Sequence, residues 1–159
     1  MKEIKLTQGK VTMVDDEDYE YLSKNKWQAG QKGSSFYATR RIKLTNGKSK
    51  TIYMHREIMR PPQGMQIDHA DGDPLNNRRN NLRICTQTQN NGNSKTRRDN
   101  TSGLKGVYWH KTGKKWGAQL HFQKKHIHVG LFTNKDVAAL AYDKAAKEYF
   151  GEFARLNYG

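Results

Sequence analysis

The sequence predicts an α+β protein built from two small modules: a β-rich N-terminal module, and a C-terminal three-stranded antiparallel sheet packed on one helix. Three observations carry this. Residues 104–132 hold three short runs of alternating apolar and polar side chains, separated by turn-forming residues. Residues 133–151 change to helical spacing and stop at a glycine. Only 34% of the 159 residues are hydrophobic, too few for one large core, so two small modules fit better than a big barrel.

Residues 1–60 read as a β-rich segment. Asp15 and Asp18, followed by Tyr19 and Leu22, mark one short capped helix. "SFYATRRIKLTNGKSKTIYMH" has two β-prone runs around Asn46-Gly47, a hairpin signal. The prolines of "RPP", Arg60–Pro62, end that segment, because no helix interior or central strand passes through them. Residues 63–93 hold an Asn-rich stretch that completes a module over 1–93. "NGNSKTRRDNTSG" lacks large apolar residues, and 94–103 reads as a linker. From Leu104 to Gly159 the strands "KGVYWH", "KWGAQLHF" and "KHIHVGLF" precede a helix with Thr133 as N-cap and Ala138, Ala141, Tyr142, Ala145 and Tyr149 at helical spacing.

The net charge of +14 points to a polyanionic partner. Residues 94–130 carry nine Lys and Arg against one acid, Asp99, whereas 131–159 sum to zero. Nucleic acid is the first candidate; no long apolar run or basic amphipathic helix supports a membrane. Cys85 stands alone, which excludes an internal disulfide framework and a Cys-based zinc site; it reads as a small core residue on a helix. "MKEIKLTQGK" has no apolar signal-peptide core, so an intracellular, non-secreted protein is expected.

Strand alternation assigns the faces of the C-terminal sheet. Val107, Trp109, Trp116, Ala118, Leu120, Phe122, Ile127, Val129 and Leu131 should face the helix. Tyr108, His110, Gln119, His121, His126 and His128 take the other side, edged by lysines. Such a face can reach base edges in a major groove while lysines contact phosphates, or it can be the solvated side of a sheet. Four histidines there raise zinc as a further reading, but spacing on adjacent strands does not by itself close a tetrahedron. Gly106-Val107, Lys115-Trp116-Gly117-Ala118, Val129-Gly130-Leu131-Phe132, Ala138–Asp143 and Ala154–Asn157 make residues 102–157 resemble the plant APETALA2/ethylene-response-factor DNA-binding domain. The resemblance implies that fold and a DNA-facing sheet, with contacts carried over to Lys105, Tyr108, His110, Gln119, His121, His126 and His128. Most of the family's contact arginines and tryptophans are replaced here, so its target sequence does not transfer.

"IDHADGDPLNNRRNNLRICTQTQNN", residues 67–91, packs six Asn behind one Asp-His pair. Phosphodiester hydrolysis needs an activated water and stabilised anionic oxygens; a near-neutral His can take the proton, and a divalent metal on hard oxygen ligands can hold the charge. Adjacent strand residues face opposite ways, so Asp68 and His69 can share one site only if the backbone bends near Gly72. Asp68-His69, Asn81-Leu82-Arg83 and Asn90 make this stretch resemble the HNH nucleases, in particular the phage and intron-encoded homing branch. The resemblance implies a ββα-metal core, a β-hairpin followed by a helix clasping one Mg²⁺ or Mn²⁺. By position, Asp68 and Asn90 are metal ligands, His69 is the general base and Asn81 ties the loop together. "YMHREIM" matches an upstream segment of that branch and adds His55 and Arg56 near the scissile phosphate. Arg78, Arg79 and Arg83 can contact phosphate or simply face solvent; the remaining Asn receive no role beyond turns.

The expectation is a metal-dependent, homing-endonuclease-like DNA endonuclease, hydrolysing phosphodiester bonds in double-stranded DNA. Its C-terminal sheet docks on the duplex. No small-molecule substrate is expected. Monomer and homodimer stay open, and bacterial or phage-infected cytoplasm is the implied setting. The alternatives are a DNA-binding regulator with an inactive nuclease module, and an RNA-binding or RNA-cleaving protein.

Overall fold

β1 (Lys2–Lys5) and β2 (Val11–Val14) open the chain as an antiparallel pair, with Ile4, Leu6 and Val14 buried beneath it. The structure, a computed structural model, describes residues 1–159 as two units, Met1–Cys85 and Thr86–Gly159. The boundary therefore falls before the 94–103 stretch read as a linker, which folds within the second unit. Ser102, 5% exposed, donates to Val107 O at 2.8 Å, and Asn100 Nδ2 donates to Leu104 O at 2.9 Å.

In the first unit, α1 (Asp16–Ser23) begins after Asp15, and acidic Asp16, Glu17 and Asp18 in its first turn favour that end of the helix. β3 (Gln28–Lys32), β4 (Ser35–Lys43) and β5 (Ser49–Tyr53) form an antiparallel sheet. The β4–β5 turn contains Asn46-Gly47, with Gly47 at φ 76°, where a side chain would be strained. α2 (Met54–Met59) follows directly and ends on Arg60 in the left-handed region, before the prolines. β6 (Gln66–His69) and β7 (Leu82–Cys85) form a second hairpin, and the connection between them hydrogen-bonds to β2 through Met13 N to Leu75 O and Asn77 N to Met13 O. The core joins Leu22, Trp27, Ala38, Met54, Ile58, Ile67 and Leu82. Cys85 is buried at the end of β7, a strand rather than the helix expected from sequence.

In the second unit, α3 (Gln87–Gly92) starts with a capping box between Thr86 and Gln89. β8 (Val107–His110), β9 (Lys115–Phe122) and β10 (Lys125–Phe132) form an antiparallel sheet in the order β10-β9-β8, packed on α4 (Lys135–Phe150). Two sequence expectations need correction. The N-cap of α4 is Asn134, whose Oδ1 accepts from Asp136 N at 2.7 Å and Val137 N at 3.1 Å, so Thr133 lies one residue too early. Leu131 does not face the helix. Val129 is an extra residue between the pairs His128↔Gln119 and Gly130↔Ala118, and this bulge moves Leu131 onto the face of Gly117 and Tyr108. The buried side of α4 is Ala138, Ala139, Tyr142, Asp143, Ala146 and Phe150, a stripe rotated from the sequence reading. Asp143 secures the C-terminal residues by accepting from Asn157 N and Tyr158 N at 2.8 and 2.9 Å.

Candidate active site

The β6–β7 hairpin sets out the site. Asp68 pairs across the ladder with Arg83 and His69 with Leu82. Arg83 Nε donates to Asp68 Oδ2 at 3.1 Å, and its Nη2 forms an ion pair with the same oxygen. His69, the next residue along, contacts Asn77, His55 and Tyr37.

The loop after β6 is held by its own polar side chains. Asn81 is 6% exposed; its Oδ1 accepts from Asp71 N at 3.0 Å and its Nδ2 donates to Asp71 Oδ1 at 3.0 Å and Asn76 O at 2.8 Å. Asn76 Nδ2 donates to Asp71 Oδ2 at 2.7 Å. Burial works against the Asp71 carboxylate, but donation from Asp73 N–H and the amides of Asn76 and Asn81 outweighs it and holds the pKa below the usual range.

His69 is 7% exposed and sits edge-on to His55, ring centroids 5.2 Å apart. Burial lowers its pKa, partly offset by the bond to Asn77 and by Asp71 and Asp68. His55 is pushed down to about 3, first by burial and then by His69, so it is neutral across the working range. Tyr37 and Tyr53 enclose the pair, with centroids 5.8 and 5.5 Å from His55.

A chain of hydrogen bonds polarises His69. Thr12 Oγ1 lies 2.7 Å from Leu75 O, an oxygen–oxygen contact that requires the hydroxyl proton between them. The hydroxyl oxygen then accepts from Asn77 Nδ2 at 2.7 Å. Asn77 must therefore present Oδ1 to His69 Nε2, at 3.3 Å. Nε2 carries the proton and Nδ1 the lone pair. Thr12 and Asn77 are both fully buried. No local sequence signal marks Thr12, which lies 57 residues upstream of His69, and Asn77 was indistinguishable from its turn-forming neighbours.

The other candidates are placed as follows. Arg79 is paired within the fold: Nε and Nη2 donate to buried Asp18 at 2.8 and 2.7 Å, and its N–H to Asp15. Arg78 donates to Asn76, and exposed Arg56 to Met65 O. Asn90 lies on α3, in the second unit. There, Tyr108, His110, Gln119, His121, His126 and His128 share the outer face of the sheet, with His126 Nε2 2.7 Å from Gln119 Oε1. Lys105 does not join them; its Nζ donates to Gly92 O at 2.5 Å, and burial lowers its pKa to about 8.

Asp68 offers a buried carboxylate, a hard oxygen donor, and no group of three His, Cys, Asp or Glu gathers to hold a metal ion. Burial raises the Cys85 thiol to about 11, which removes thiolate chemistry.

The HNH endonuclease family model matches residues 60–92, the stretch that holds this hairpin, its buried His and the asparagine-held loop. The chain belongs to the HNH endonucleases. Protein 3.8 of Escherichia phage T7 is 38% identical over 96 residues, covering 60% of this chain and 78% of that protein. A protein of Acanthamoeba polyphaga mimivirus, described as an uncharacterized HNH endonuclease L560, is 28% identical over 161 residues, covering 94% of this chain and 75% of its own. No helix is long and apolar enough to cross a membrane.

Proposed function

We propose that the protein is a metal-dependent, homing-type endonuclease that hydrolyses phosphodiester bonds in double-stranded DNA, cutting with its first unit and docking on the duplex with the sheet of its second. The observation that carries this reading is the imidazole of His69, held in one tautomer by Asn77 and Thr12 within the matched family segment. His69 Nδ1 takes the proton of the attacking water, and Nε2 stays bonded to Asn77 as positive charge develops on the ring. His55 and Tyr37 exclude solvent from that ring and limit its rotation. Asn81 holds the loop that carries Asn76 and Asn77. Asp68 is an oxygen donor that would hold one Mg²⁺ or Mn²⁺, which, when bound, supplies charge to stabilise the developing anionic oxygens. Arg83 fixes the Asp68 carboxylate on the hairpin.

On the second unit, Tyr108, Gln119, His121, His126 and His128 provide the face toward DNA, with His110 at its edge, where Nδ1 accepts from Gly113 N. A binder joined to a cutter adds affinity through effective concentration. The test is cleavage of supercoiled plasmid with Mg²⁺ or Mn²⁺, comparing wild type, His69→Ala and an EDTA control. Metal-dependent nicking or linearisation that His69→Ala abolishes supports the reading. Equal cleavage by the variant removes His69 from the role of base.

A further inference from the structure

The first unit carries a second basic feature that the cleavage chemistry does not use. A groove of about 370 Å³ lies between β4, β5 and α2, lined by Arg40, Lys50, Tyr53, Arg56, Glu57 and Arg60 among others. Four cations face one carboxylate there. Glu57 is already held by Arg40, whose Nε and Nη2 donate to it at 3.2 and 3.0 Å. Lys50, Arg56 and Arg60 thus bring three exposed positive charges into one groove with no further carboxylate lining it. Their mutual repulsion does not help the fold, so the arrangement fits an anionic occupant.

Arg60 adds an independent observation. It caps α2 at φ 44° and ψ 57°, where glycine is the unstrained residue, with its N–H bonded to Arg56 O. The chain keeps a long cation at a position whose backbone favours having no side chain. Tyr53 provides the link to the site: it lines the groove, its ring stands 5.5 Å from His55, and His55 stands 5.2 Å from His69. The groove therefore opens two rings from the base.

We propose that this groove is a phosphate subsite, in which Lys50, Arg56 and Arg60 grip the sugar–phosphate backbone of the substrate duplex a short distance from the bond that is cut. The proposal rests on the nuclease reading above. The Arg40–Glu57 pair forms the fixed wall, and the three remaining cations supply sequence-independent contacts.

The test is binding of a fluorescein-labelled duplex by the full chain in EDTA, followed by anisotropy between about 50 and 200 mM salt, where each phosphate contact contributes about 0.9 to the slope of log affinity against log salt. The variants are Lys50→Ala, Arg60→Gly and their combination. The double variant is expected to have a slope shallower by about two and an affinity about tenfold lower at the low-salt end. Arg60→Gly should melt at or above the wild-type temperature, because glycine accepts that backbone freely, so its binding loss is not a folding loss. A double variant with wild-type slope and affinity overturns the subsite while leaving the nuclease reading intact. A wild-type chain that binds no duplex overturns both.

Discussion

Replacing Thr12 by Val tests the chain of hydrogen bonds that orients His69. The two side chains have nearly the same shape, so packing around the fully buried position is preserved and only the hydroxyl is lost. Leu75 O keeps its bond from Met13 N at 2.9 Å. Asn77 Nδ2 loses an acceptor at 2.7 Å in a place without solvent, which costs about 2 kcal/mol and lowers the melting temperature by about 10 °C. The larger consequence is chemical. Without the hydroxyl, the Asn77 amide can turn its NH₂ toward His69 Nε2, which moves the ring proton to Nδ1 and removes the basic lone pair. A fall in kcat of about 10²-fold or more is expected, measured by plasmid cleavage well below the variant's melting temperature. Thr12→Ser keeps the hydroxyl and should keep most of the rate. Nitrogen NMR of the His69 ring reads the tautomer directly, as Nε2–H in wild type and a mixture in Thr12→Val. A valine variant that loses stability but keeps its kcat would refute the reasoning, because Asn77 would then be structural only.

Further expectations follow from other contacts. Asn81→Ala removes three hydrogen bonds from the β6–β7 loop and should destabilise the protein by about 3 kcal/mol in urea unfolding, with cleavage lost even where the chain is still folded. Gly106→Ala places a Cβ 2.1 Å from the Tyr142 ring and 2.6 Å from Gln119 O, at φ 72°, so the second unit should unfold or lose more than about 3 kcal/mol, seen by circular dichroism and loss of duplex binding. Lys105 has a folded pKa of about 8 against 10.5 in the unfolded chain. Between those values the unfolded state holds the proton and the folded state does not, so stability rises with pH through that window. Below about pH 8 both states are protonated and this contribution is flat. Lys105→Met should remove the rise, read as the difference between wild-type and variant urea midpoints from pH 7.5 to 10.5.

Much of the second unit was legible in the sequence because its signals are local. Alternation marked β8, β9 and β10, helical spacing marked α4, and Gly151 marked its end. The bulge at Val129 was not legible, since an extra residue in one strand is defined only by the partner it fails to pair with; Leu131 changed faces for that reason alone. Nor was the commitment of Lys105 to Gly92 O, which depends on where α3 ends rather than on strand parity. In the first unit, the family resemblance picked out Asp68, His69 and Asn81, but Asn76 and Asn77 read as interchangeable turn formers. Tertiary structure separates them, because β2 runs beside the loop and brings Thr12 to Asn77 across 65 residues. It likewise gave Arg79 to Asp18 and left Arg60 in a basic groove. The sequence alone determined which chemical groups the protein owns and in what order, since spacing and charge are properties of the chain. The tertiary structure decided which way each amide and imidazole points and which cation already has a partner, because hydrogen-bond direction and ion pairing exist only once distant segments meet.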